Sequence, residues 1–129
     1  MINHDLMATI LASFAAALVA HWGLAHAIPT SQVLAGFNPI TQDNRRVVLQ
    51  ERLAEAFTMW GLAGTIVVTI VGGAGSHASH WVYRVVAALL FDLAVLTGLT
   101  GARTPVIWFK ICPGLLTFSA ALLVVASLV

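Results

Sequence analysis

The chain has 129 residues, is 60% hydrophobic and only 9% charged, and carries a net charge of +1. Soluble domains usually carry about 25% charged residues, and a domain this small buries only about 60–70% of its unfolded surface, so a water-soluble fold is excluded. The near-neutral balance leaves no basic field for nucleic acid, and a lone cysteine, Cys112, excludes a two-cysteine redox centre.

A bilayer core needs about 20 apolar residues per helical crossing. Four stretches meet that length, at roughly 6–27, 53–73, 82–100 and 105–129. They predict a single all-α domain, an integral membrane four-helix bundle. The first stretch has the apolar core of a signal peptide, and Ala25-His26-Ala27 resembles a small-residue cleavage site. No Lys or Arg precedes it, so it is read as a retained first helix. Ile28-Pro29 ends that helix. The long loop 28–52 then holds a short turn from Thr30-Ser31 to Gly36 and a break at Asn38-Pro39. Asp43 or Asn44 is the expected cap of a helix running from Arg45 into the second span. Gly72–Ser76 predicts the turn between spans two and three, and Thr100–Pro105 the turn between three and four.

Four crossings put both termini on one side and the long loop on the other. Arg45, Arg46, Arg52 and Arg103 gather on the long-loop side, with Lys110 a little deeper, against Arg84 alone on the other. The excess of positive charge predicts a cytoplasmic long loop. Trp22 and Trp108 are expected near that interface and Trp81 near the other.

Ionisable groups inside a membrane are costly and usually functional. At about 1.5 Å per residue, His21, Glu55, Asp92 and Lys110 lie roughly 9, 7, 12 and 9 Å in from the long-loop face. Each span thus supplies one such group to one slab, and a bundle that turns them inward makes an acid–base site of them. A purely structural role is the alternative: Asp92 with Lys110, and Glu55 with Arg103 or Arg52, as ion pairs that fix register. His26, Glu51, Arg45 and Arg103 form a wetter rim above. Glu51 and Glu55 are four apart and share a helix face. Asn44 and Arg45 are candidates for holding an anionic head group, or, with Arg46, a snorkelling anchor. Trp60 is added as a candidate binding residue.

His77 and His80 have the spacing of a metal pair but no third ligand in sequence, so no metal or other cofactor is expected. Pro113 interrupts the fourth span, frees the carbonyl of Phe109 and permits a kink. Ala15, Ala16 and Ala17, with Gly61 and Gly64, favour close helix packing within the bundle or between protomers.

His26-Ala27-Ile28-Pro29-Thr30, Gly36-Phe37-Asn38-Pro39-Ile40 and Asp43-Asn44-Arg45-Arg46 resemble a segment of a group of small bacterial four-helix membrane proteins. Thr100–Pro105 with Lys110-Ile111-Cys112-Pro113 looks like the matching end of that group, and the size and layout are similar to the DoxX-like family. The resemblance implies a bacterial inner-membrane location. Its family is functionally mixed, with links to quinone or thiosulfate oxidation, redox maturation and lipids, so no catalytic residue is carried over.

The leading expectation is a cavity, floored by polar groups, that binds a small lipophilic molecule. Glu55 and Asp92 are its acid–base candidates, Lys110 and His21 tune or relay protons, and Arg45 and Arg103 hold an anionic part. Isomerisation, cyclisation or hydrolysis suits these residues better than redox chemistry, since the sequence encodes no electron carrier. The alternative is an accessory subunit of a larger membrane complex. A small proton-coupled transporter ranks third, because the first span has no carboxylate beyond Asp5 at its edge. A homo-oligomer or a larger complex in the lipid bilayer is expected in each case.

Overall fold

A computed structural model describes residues 3–129. It is all-helical among those residues, and four of its helices are long and apolar enough to cross a membrane. They form a four-helix bundle.

Helix α1 spans His4–Ala27 and is capped by Asn3, whose side chain accepts from the Asp5 amide. Its buried residues recur at three- and four-residue steps: Ala8, Ala12, Ala15, Ala16, Val19, Trp22, Gly23 and His26. Most are small, and small side chains let membrane helices approach closely. α1 accordingly lies against two long helices, α3 (Gln42–Val71) and α5 (Ile107–Ala126). Gly23 marks the tightest point. A Cβ there would sit 2.6 Å from Trp60 Nε1 and 3.3 Å from the Ala56 carbonyl oxygen of α3.

Between α1 and α3 the chain forms a short helix, α2, over Thr30–Ala35. Thr30 and Leu34 tuck under it, and Gly36 ends it. α3 begins earlier than the sequence suggests. Its cap is Thr41 rather than Asp43 or Asn44, because the Thr41 hydroxyl accepts from the Asn44 amide at 3.2 Å. The first turns, Gln42 to Leu49, stand almost wholly exposed before the helix enters the bundle.

The turn after α3 passes through Gly73 at φ +118°, a conformation that an L side chain rarely adopts. Ser76 then caps α4, His77–Leu99, by accepting from the Ser79 amide. The third span thus starts at His77, not 82, and the two histidines lie in its first turns rather than in a loop. A 3₁₀ turn, Gly101–Arg103, leads to α5, which starts at Ile107, beyond Pro105, and carries Pro113 within it. α4 packs along α5, while the seam between α3 and α4 is the slightest of the four between neighbouring long helices. The order around the bundle is therefore α3, α1, α5, α4, with an opening at the α3–α4 seam.

Candidate functional site

At the long-loop end, α1 presents Trp22 and His26 one turn apart, so both rings fall on one face. Their centroids are 5.9 Å apart, edge to face. α3 brings Arg52 and Glu55, again one turn apart, to the same place. His26 Nε2 lies 3.1 Å from Glu55 Oε1, and His26 Nδ1 lies 3.2 Å from the Trp22 carbonyl oxygen. A carbonyl and a carboxylate both only accept. The geometry therefore needs a proton on each ring nitrogen, or one on the carboxyl. The His26–Glu55 contact thus joins an imidazole of α1 to a carboxyl of α3.

His26 also anchors the turn by its backbone. Its carbonyl accepts from Arg52 Nη2 at 2.8 Å and from the Thr30 hydroxyl at 3.1 Å. The guanidinium carbon stands 6.0 Å from the centre of the Phe109 ring on α5. Arg52 Nε is buried and has no hydrogen-bond partner among the described residues. Behind the pair, Trp22 Nε1 donates to the Cys112 sulfur at 2.9 Å, which ties α1 to α5.

Two cavities meet at these residues. The larger, about 680 Å³, lies under α2 and is walled by Trp22, Ile28, Val33, Phe37, Val106 and Trp108. The smaller, about 390 Å³, fills the α3–α4 seam and is lined by Glu51, Glu55, Thr58, Thr97 and Thr100 among others. His26, Arg52 and Phe109 line both. The first chamber is chiefly apolar and the second more polar. Burying most of a small lipophilic molecule takes about 300–1,000 Å³, which the larger chamber provides.

The residues singled out from the sequence divide into two groups. Glu55 and His26 are joined directly, and Glu51 lines the seam cavity from an exposed position. His21, Asp92 and Lys110 do not reach the pair. All three are exposed on the bundle surface, and His21 Nδ1 contacts the Ala17 carbonyl oxygen of its own helix at 2.7 Å. Neither Asp92–Lys110 nor Glu55 with an arginine forms an ion pair; the ion pairs among the described residues are His26–Glu55 and Arg46–Asp43. Asn44 and Arg45 are exposed on the protruding start of α3, and Arg103 is exposed in the 3₁₀ turn. Trp60 lines a separate surface groove between α1 and α3 and donates to the Ala20 carbonyl at 3.2 Å. Ala15 and Ala16 are buried in the bundle, whereas Gly61 and Gly64 have nothing within 4 Å of where a Cβ would be.

Arg52, which the sequence offered only as an ion-pair partner of Glu55, completes the site with Trp22, Phe109 and the roof formed by α2, which sequence reading did not place there. Two signals pointed to them: Arg52 precedes Glu55 by three, and Trp22 precedes His26 by four. Both spacings put side chains on one helix face.

No protein-family model, curated protein or solved structure matches the chain.

Proposed function

We propose that this membrane protein binds a small lipophilic molecule in the chamber beneath α2, with the molecule's polar group at Arg52 and the His26–Glu55 pair. One observation carries the reading: an apolar space of about 680 Å³ ends on a buried histidine whose Nε2 lies 3.1 Å from a carboxyl oxygen. Arg52 supports it, since a half-buried guanidinium whose Nε has no partner among the described residues has a donor to offer a carbonyl, carboxylate or phosphate oxygen. Chemically, the pair can take a proton from one atom of the bound molecule and return it to another, which is the requirement of an isomerisation or cyclisation. It can equally activate a water for hydrolysis. Of the residues proposed from sequence, Glu55 and His26 hold the acid–base role in this reading.

The test is native mass spectrometry of the protein extracted gently from its own membrane, alongside Val33→Trp, which fills the chamber from α2. A small molecule retained at fixed stoichiometry by the wild type and lost from Val33→Trp is the expected result. A ligand-free wild-type chain recovered in constant ratio with another polypeptide would favour the accessory-subunit reading instead.

A further inference from the structure

Asp92 and Lys110 lie at bilayer depth on neighbouring helices, both exposed, and no hydrogen bond or ion pair satisfies either among the described residues. Asp92 is two residues from buried Leu90 and two from buried Ala94. At about 100° per residue, its side chain points away from the core. Lys110 stands in the same relation to buried Cys112 on α5. α4 and α5 pack along each other, so the pair of helices shows lipid an outward face bearing one charge of each sign.

A carboxylate on a lipid-facing helix surface is expensive, and such groups almost always face protein or water. Asp92 is seven residues from Leu99, about 10 Å into the span, and its side chain is too short to reach the interface. Lys110 is three residues into α5, about 5 Å in, and its four-carbon stem can span the roughly 5 Å of depth that separates it from Asp92. From these observations we infer that two copies of the chain associate through the outward face of α4 and α5, Asp92 of each copy meeting Lys110 of the other.

The charges select a second copy as occupant because the face is complementary to itself. A two-fold axis along the membrane normal, between α4 and α5, sets α4 of one copy against α5 of the other. It keeps every residue at its own depth, so both ion pairs form together. The α5 surface in line with Lys110 is Gly114, Thr117 and Ala121, all exposed and small enough for close approach. This inference is independent of the ligand chamber, whose walls lie on the other side of α5.

The test is energy transfer between two populations of the full chain, labelled at the N-terminus with donor or acceptor, in liposomes over a range of protein-to-lipid ratios. Wild type should dimerise. Asp92→Lys and Lys110→Asp should each weaken association by about tenfold or more, since two pairs are lost at once. The double reversal D92K/K110D should restore it. Where a reversal fails to insert, Asp92→Asn and Lys110→Gln serve instead, and each should weaken the dimer severalfold. A wild type that stays monomeric at every ratio overturns the inference. So does dimerisation indifferent to all these substitutions, or a double reversal no better than either single one.

Discussion

At the end of the bundle that carries the Gly72–Ser76 turn, Ile66, Tyr83 and Leu123 have no exposed surface, and Arg84 bridges α4 to the end of α5 through the Ser127 hydroxyl and carbonyl. At the long-loop end, α2 spans a chamber instead of filling it, and polar groups of α1 and α3 crowd against its floor. In lipid, helices gain little from hiding apolar surface, and tight packing has to supply the attraction. The first end is packed for stability. The second end gives up contacts, and its unfilled space coincides with the contact between buried His26 and half-buried Glu55.

The contrast can be broken by truncating a side chain at each end. Leu123→Ala should cost about 3 kcal/mol, because it opens a cavity where the neighbours cannot collapse. Val33→Ala, which only enlarges a space that already exists, should cost less than about 1 kcal/mol. Reversible unfolding in mixed micelles, followed by far-ultraviolet circular dichroism, reads both; equal losses would show that the ends do not differ in packing. Next in size, His26→Ala should cost roughly 3 kcal/mol by stranding a half-buried Glu55 carboxylate. Glu55→Gln keeps a polar partner for the imidazole and should cost only about 1 kcal/mol. If the two variants lose the same stability, the cost does not come from stranding the carboxylate. The smallest effect sharpens the boundary between the ends. Trp22→Phe keeps the ring and removes the donation to Cys112, at about 1 kcal/mol, and should leave the packed end unchanged in hydrogen exchange.

The sequence makes depth along a helix legible, because each residue adds a fixed rise. It identified four spans and the slab in which His21, Glu55, Asp92 and Lys110 fall. It did not reveal the direction each side chain takes around its helix. α4 shows why: Tyr83, Val86, Leu90 and Ala94 are buried on one side, while Val85, Leu89, Leu96 and Leu99 are exposed on the other. A helix apolar all round gives no signal of which face meets protein, so Asp92 was free to turn outward. The inner pair was more readable. Glu55 was picked out by depth, and His26 by its position at the mouth of the slab. Arg52 was expected as an ion-pair partner of Glu55, and its actual bond went unseen because it depends on a carbonyl 26 residues earlier in the chain.

The walls of the larger chamber include Ile28, Phe37, Val106 and Trp108, which are 76%, 53%, 43% and 64% exposed. On the proposed reading, with these apolar side chains at the level of the acyl chains, the chamber opens sideways into the hydrocarbon rather than upward into water. A lipophilic molecule would arrive by lateral diffusion within the leaflet, and its local supply would be set by how strongly it partitions into lipid. Apparent affinity would then fall as lipid is added at constant ligand and protein, a dilution in two dimensions that a water-facing pocket would not show.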